Sequence, residues 1–394
     1  MSAATPRRTR GTVVVVWTAY RAGPWSIRSL RDAGWDVVAL HPRREGHGRS
    51  TACLRPLPCP SPVHETDAFL EAVTRTCREV GARALLPLGE ESVRVLAEGD
   101  PDLGDTVLAG PDAAQYAALC DKRQLGGNAV RAGVAHPPGV IVTADGPSGD
   151  WPPFPAFVKS RDGVGPDGGT AATRVATAPE RDRAVGELLD AGLEVVVEEL
   201  IRAPQWTVHC ARDGHGGFAG VAAVVDRNFP RGAGSPTVSV VGSAGEVALD
   251  ATRRILELID YRGPANAQFF LRDGTLMVHD VNLRVPASVA IAIRGGVDVP
   301  ALGVAAAVGE RIPPAPPPPT GLRYVSAGDE VRALVTRRRP GAPVVRARTV
   351  VGDLVRAAAG RGAVLDPPLS DPLWIPADLT AAAKGAARRL LGRG

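Results

Sequence analysis

The chain has 394 residues, 44% of them hydrophobic and 22% charged, with a net charge of +4 and a pI near 9.0. This is the balance of a globular protein with two or three units and a sizeable core, and it excludes a disordered or fibrous chain. Arginine clusters at Arg7–Arg10, Arg337–Arg339 and Arg388–Arg389 are short and the aromatic residues do not interleave with them, so no nucleic-acid surface is expected.

From the N-terminus, the β-branched run at 12–17 has the pattern of a strand buried on both faces. Ile27 and Leu30 at helical spacing, closed by Gly34, predict a helix, and DVVAL predicts a second strand. An amphipathic helix over 66–82, a strand at ALLPL and a helix from Glu90 continue the alternation. Strand alternating with helix predicts a parallel α/β sheet over about the first 110 residues. The loop after the first strand has a single glycine, Gly23, and no GxGxxG, so the dinucleotide fingerprint is missing. Helical sequence runs through Val134, and the proline-rich crossing at 135–155 marks a boundary.

Beyond it, strands at 154–159, 171–176, 194–201 and 205–225, with a helix at 180–190, predict an α+β unit. A helix near 246–260 leads to two strands, ANAQFFL and LMVHDVNL, joined by RDGT, whose Asp273-Gly274 pair signals a tight turn. A helix at 299–310 precedes the proline run 313–319, which reads as an extended spacer. The last 75 residues read as a small accessory region ending in an arginine-tipped amphipathic helix near 377–392. The expected domains are therefore 1–115, then 116–312 with a smaller lobe at about 154–201 and a larger one at about 202–312, a linker at 313–319 and a C-terminal region at 320–394. No apolar stretch is long enough for a signal core or a membrane span. Five cysteines, odd in number and without a CxxC pair, argue against a disulfide framework or a zinc site and fit a reducing cytoplasm. Cys210 reads as a small buried hydrophobe.

Of the 46 Lys+Arg residues, only Lys122, Lys159 and Lys384 are lysine. Lys159 ends an apolar strand just before the glycine-rich RDGVGPDGGT, and Lys122 opens a helical run. A compact ammonium with rotatable donors can follow phosphate oxygens, so the pair suggests a nucleotide-phosphate site. On the paired strands, Asp280 and Asn282 are two apart and share a face, and Gln268 can sit opposite them across the turn. One carboxylate and two amide oxygens beside phosphates suit Mg²⁺. Arg284 continues that parity and can offer its fork to a transferring phosphoryl group. His279 alternates away from Asp280 and is expected on the opposite face.

In this order, the two lysines, the glycine loop, VVVEELI and Q…D-x-N-x-R resemble the ATP-grasp superfamily, especially its carbamoyl-phosphate-synthase-like carboxylate–amine ligases, over about residues 12–310. The resemblance implies an α/β Rossmann-like pre-ATP-grasp domain, a two-lobed α+β ATP-grasp domain and a small C-terminal accessory region. It implies that Lys122 and Lys159 hold ATP phosphates and that Gly163, Gly165, Gly168 and Gly169 belong to a loop closing over them. Adenine would pair with backbone groups of Glu199 and Ile201, or of Glu198 and Leu200 in the neighbouring register, with Gln205 near the ribose. Gln268, Asp280 and Asn282 would bind Mg²⁺, with Mn²⁺ as the alternative, and Arg284 would contact phosphate. Three positions depart from the family: Asp280 replaces the usual glutamate, Leu283 a common proline, and Gln205 a frequent ribose-binding glutamate.

The implied activity is ATP-dependent joining of a small-molecule carboxylate to an amine through an acylphosphate, releasing ADP and phosphate. An amino acid or small peptide is the expected substrate, with Lys159 and Arg284 stabilising the moving phosphoryl group; Arg294, shortly after the motif, reads equally as a clamp for the carboxylate or as a surface arginine. The apolar helix at 298–309 would serve either the core or a homodimer interface. Three readings compete: an ATP-binding regulatory protein that has lost turnover, which Asp280 and Gln205 would suit; a nicotinamide-dependent oxidoreductase, which the absent fingerprint disfavours; and a kinase that releases its phosphorylated product.

Overall fold

Alternating strand and helix in the first hundred residues build the first of three sheets. The computed structural model describes residues 9–42, 50–53, 56–164, 170–229, 235–242, 245–335 and 345–374, with the backbone alone at 161–164, 170–171, 235 and 335. Along the chain come β1 (Thr12–Val16), α1 (Gly23–Asp32), β2 (Asp36–Pro42), β3 (Leu57–Cys59), α2 (Thr66–Glu79), β4 (Ala82–Pro87), α3 (Glu90–Gly99) and β5 (Val107–Leu108). The strands pair in parallel in the order β3-β2-β1-β4-β5. Both faces of β1 are covered, as its unbroken apolar run requires. Val13 and Val15 pack with Leu30, Trp35 and Leu86, whereas Val14 and Val16 pack with Phe69, Val73 and Leu96.

Two helices, α4 (Ala113–Leu119) and α5 (Lys122–Arg131), lead into the second sheet. It comprises β6 (Gly139–Thr143), β7 (Gly146–Pro147), β8 (Ala156–Val164), β9 (Thr170–Val175) and, after α6 (Ala178–Asp190), β10 (Val195–Glu199). These strands are antiparallel in the order β7-β6-β10-β8-β9. Val140, Ala156, Val158, Val195 and Val197 pack on Ala184 and Val185 of α6. The two-residue period of a strand then turns Lys159 and Glu198 to the other face.

The third sheet holds β11 (Gln205–Arg212), β12 (Phe218–Phe229), β13 (Ser235–Val241), α7 (Glu246–Leu258) as a crossover, β14 (Gly263–Arg272) and β15 (Thr275–Asn282). After α8 (Ala290–Arg294) and α9 (Val299–Ala307), β16 (Arg323–Ser326), α10 (Ala327–Val335), α11 (Ala347–Ala358) and β17 (Ala363–Asp366) complete it. The order is β15-β14-β11-β12-β13-β16-β17. Asp273 and Gly274 turn the β14–β15 hairpin with φ of 51° and 77°, the left-handed pair that a two-residue hairpin loop favours. Val208, Cys210 and Ala265 pack on Ala251 and Ile255 of α7, and Val221 and Ala223 lie in one core with Ile291, Val304 and the first sheet's Val13.

The C-terminal strands are therefore an edge of the large sheet, and the chain beyond them returns to the first unit. Arg28 of α1 pairs with the fully buried Asp371, which also accepts from Ser50 Oγ at 2.5 Å and from the Thr51 amide at 3.1 Å. Trp25 Nε1 donates to Asp366 Oδ1 at 3.0 Å and the Trp25 and Trp374 rings meet edge-on at 6.1 Å. Arg21 pairs with Asp329 of α10. Residues 313–319 carry no helix or strand, and the helix expected near 377–392 lies outside the described residues. Among the described residues no helix is long and apolar enough to cross a membrane, and all five cysteines are buried thiols outside any disulfide.

Candidate active site

Two walls, one from the second sheet and one from the third, come close enough for Lys159 and Glu198 to act on His279. On the first wall, Lys159 of β8 lies opposite Val196 of β10, and its ammonium pairs with Glu198 two residues along. Glu198 can lie across β6 because its partner there is Gly139: a Cβ on Gly139 would stand 2.9 Å from both Glu198 Cγ and the Val197 carbonyl. Burial pushes the Glu198 carboxyl up, but the charge of Lys159 outweighs it and holds the group below the ordinary carboxylate value. His136 Nδ1 is 2.8 Å from the Pro137 carbonyl, which assigns the ring proton to that nitrogen. His136 Nε2 and Glu198 Oε1 are both buried, lie 3.8 Å apart and have no hydrogen-bond partner among the described residues. Two orphan acceptors thus lie side by side in the first wall.

The opposite wall is the β15 edge. Asn266 faces Asn282 and Gln268 faces Asp280 in the ladder. Gln268 Nε2 and Asn282 Nδ2 both donate to Asp280 Oδ2, at 2.9 Å and 2.7 Å. Lys122 enters from the first turn of α5, whose N-cap Asp121 accepts from the Arg123 amide, and pairs with Asp280 Oδ1. Burial pushes the Asp280 carboxyl up, yet Lys122 beside it holds it far below the ordinary range; burial would lower Lys122, and Asp280 raises it. Arg284 donates to Asn282 Oδ1 at 3.0 Å, so the trio continues into the guanidinium.

His279 does not lie on the opposite face. The ladder skips one residue between Gln268 and Phe269, so Phe269 pairs with Val278 and the extra residue on β15 forms a bulge. His279 therefore stacks on Phe270 at 4.2 Å, and its Nε2 is 3.2 Å from Gln205 Nε2. Burial, then the nearby Lys159, pushes the imidazole down to about 3, so it is neutral. Gln205 is bound into this wall through Gln268 Oε1 at 3.0 Å.

Of the other expected contacts, Glu199 accepts from Arg272 at 2.8 Å, and its amide donates to the Pro138 carbonyl at 2.9 Å. The Leu200 amide donates to the Pro155 carbonyl at 2.9 Å. Gly163 stands near the end of β8, whereas Gly165, Gly168 and Gly169 lie outside the described residues. Arg294 is not brought to the cluster: it is exposed at the end of α8 and, among the described residues, has no hydrogen bond or ion pair to it. Surface grooves of about 480 and 600 Å³ around Arg75 and Asp102 contain none of these residues.

Sequence reasoning missed His136, Glu90 and Tyr20. Glu90 accepts from Arg284 Nε at 3.0 Å, and the Tyr20 hydroxyl lies 2.5 Å from Arg284 NH1. Burial would lower the Arg284 pKa, but Tyr20 and Glu90 raise it, so the guanidinium is firmly charged. Both residues follow strands of the first sheet at their C-terminal ends, where open α/β sheets bind ligands, and that position was the available signal.

The likeness to solved structures is broad. The biotin carboxylase domain dimer of Hydrogenobacter thermophilus 2-oxoglutarate carboxylase, solved with MgADP, ADP and bicarbonate, superposes with a TM-score of 0.60 at 18% identity, over 76% of this chain and 70% of that one. An L-amino acid ligase from Bacillus licheniformis matches with a TM-score of 0.57 at 15% identity, over 76% and 75% of the two chains. An ADP complex of N5-carboxyaminoimidazole ribonucleotide synthetase matches with a TM-score of 0.62 at 12% identity, over 80% of each chain. These are ATP-grasp proteins, and the chain has the ATP-grasp fold. No protein-family model matches the sequence, and no curated protein matches it.

Proposed function

We propose that the protein is an ATP-dependent ligase that joins a carboxylate to an amine through an acylphosphate, with an amino acid or small peptide as substrate. The observation that carries this reading is the convergence of Lys122, Asp280, Gln268, Asn282 and Arg284 on one wall, opposite Lys159 on the other, within an ATP-grasp fold. Of the similar structures, the biotin carboxylase domain was solved with MgADP and another is an L-amino acid ligase.

The parts suit a nucleotide. The orphan acceptors His136 Nε2 and Glu198 Oε1 match the exocyclic amino group of adenine, a double donor. Lys122 and Lys159 would bind the phosphates, and Lys159 and Arg284 would stabilise charge on the transferred phosphoryl group. For a divalent ion, the donor set fits: Asp280 is ionised, and two amides converge on one of its oxygens, where a half-turn of either amide presents oxygen instead. Mg²⁺ or Mn²⁺ held by Asp280, Gln268 and Asn282 would supply charge neutralisation at the phosphates. In the ligation, the substrate carboxylate oxygen bonds to the γ-phosphorus as ADP leaves. The amine nitrogen then bonds to the acyl carbon, loses its proton and displaces phosphate. The chain's own task is positioning and charge stabilisation, so no covalent nucleophile on the protein is needed.

The test is nucleotide turnover by the purified chain with Mg·ATP and pooled amino acids and small carboxylates, with ADP and AMP separated. Substrate-stimulated ADP that disappears in Lys159→Ala is the expected result. AMP would overturn acylphosphate chemistry. ATP binding without turnover on any acid would favour the regulatory reading.

A further inference from the structure

The ligase reading uses Arg284 but not the groups that hold it. Glu90, the first residue of α3, takes the Arg284 Nε–H at 3.0 Å on one oxygen and the Tyr116 hydroxyl at 3.0 Å on the other. Tyr20, in the loop after β1, receives NH1 and lies 5.1 Å, ring centroid to guanidinium carbon, from Arg284. Trp17, the residue directly after β1, completes this edge. Its φ of 64° is an outlier for so bulky a side chain, and such strain gathers at functional sites. The twist lays the indole against Gly89, where a Cβ would come within 2.9 Å of Trp17 Cδ1. Trp17, Tyr20, Glu90 and Arg284 are each partly exposed, Trp17 standing against the residue before Glu90 and Arg284 reaching Asn282.

The acid must lie beside Arg284 for its oxygen to reach a phosphoryl group held there. Arg284 alone would welcome any carboxylate, bicarbonate included. Glu90 alters the choice, because a bare anion drawn to the guanidinium meets a like charge at the same place. A zwitterion satisfies both, its carboxylate at Arg284 and its ammonium at Glu90, with Trp17 and Tyr20 as the nearest aromatic neighbours on that edge. We infer that this edge of the first sheet is the acid-binding pocket, and that it selects α-amino acids in zwitterionic form. The inference rests on the ligase reading and narrows it.

The experiment measures phosphate release from Mg·ATP by the full chain with each standard amino acid, with its N-acetyl derivative and with bicarbonate. Binding of the non-hydrolysable analogue AMP-PNP with Mg²⁺ is measured alongside by calorimetry. Free amino acids are expected to stimulate release, and the N-acetyl acids and bicarbonate are not. Glu90→Gln should raise the amino acid KM by about tenfold or more, the loss of one charge-assisted contact, with AMP-PNP affinity held within about twofold. Glu90→Asp should recover part of the loss, and Trp17→Phe keeps an aromatic face if Glu90→Gln folds poorly; its KM should shift for some amino acids and not others. Stimulation by N-acetyl acids or bicarbonate as strong as by amino acids, or a KM unmoved in Glu90→Gln, would overturn the inference. So would AMP-PNP binding with no amino acid active. Absence of Mg-dependent AMP-PNP binding would instead overturn the ligase reading beneath it.

Discussion

Lys159 and Glu198 form a pair whose members have different tasks. Glu198 is only 2% exposed, so Lys159→Ala should both stop turnover and strand a buried anion. ADP formation is expected to fall by about a hundredfold or more, as for loss of a charge that stabilises a transition state. The melting temperature should fall too, and adding Glu198→Gln should restore melting without restoring ADP. If the double variant melts as low as the single one, the two residues are not coupled. On the other wall, Asp280→Asn should raise the Mg²⁺ concentration for half-maximal activity by about tenfold, since one carboxylate carries the formal charge of the donor set; an unchanged Mg²⁺ titration would remove Asp280 from that role. This trio was legible in the sequence because alternation puts Asp280 and Asn282 on one face and the Asp273-Gly274 turn brings Gln268 opposite. His279 was not, because one extra residue in a strand leaves no trace in polarity and yet reverses the direction of its side chain.

At the level of elements, Gly139 shows how a backbone position controls a site. A methyl group there would meet both Glu198 Cγ and a carbonyl at 2.9 Å, so either β6 moves away or Glu198 leaves its place. Gly139→Ala is expected to weaken AMP-PNP binding by about tenfold, comparable to loss of one charged hydrogen bond, in a calorimetric titration. Unchanged binding would mean that Glu198 does not contact the nucleotide. Most strands and helices followed from periodicity, since the unbroken apolar β1 and the alternating β8 have distinct patterns. The membership of β16 and β17 in the large sheet did not follow, because the proline run before them has no period to extend. Nor did the docking of Glu90 and Tyr20 on Arg284, which depends on how two sheets pack rather than on any local spacing.

On the scale of the molecule, the first unit and the C-terminal region are clasped by acids. Burial pushes the Asp371 carboxyl up, but hydrogen bonds from Ser50, Arg28 and the Thr51 amide outweigh it; at Asp329 the charges of Arg21 and Arg332 outweigh burial in the same way. Both folded-state pKa values lie below the ordinary carboxylate value of 3.8. A depressed pKa contributes stability that is complete above the unfolded value and is lost as pH falls through the folded one. Denaturant unfolding should therefore give a constant contribution from this clasp above pH about 5 and a loss below pH about 4. Asp371→Ala should cost about 3 kcal/mol at neutral pH, the typical loss when one partner of a buried pair is removed, and Asp371→Asn should flatten the acid limb. An acid limb as steep in Asp371→Asn as in the parent chain would place the sensitivity elsewhere.

The same clasp sets an order of events during synthesis. Arg28 and Asp371 are 343 residues apart in the chain, and every strand of all three sheets lies between them or before Arg28. A ribosome thus delivers the first sheet long before the segment that grips it. The pocket edge at Trp17, Tyr20 and Glu90 is made early, Arg284 later, and the closing contact near the last turn of the described chain. Closure of the clasp therefore waits on a segment synthesised after every strand of the three sheets.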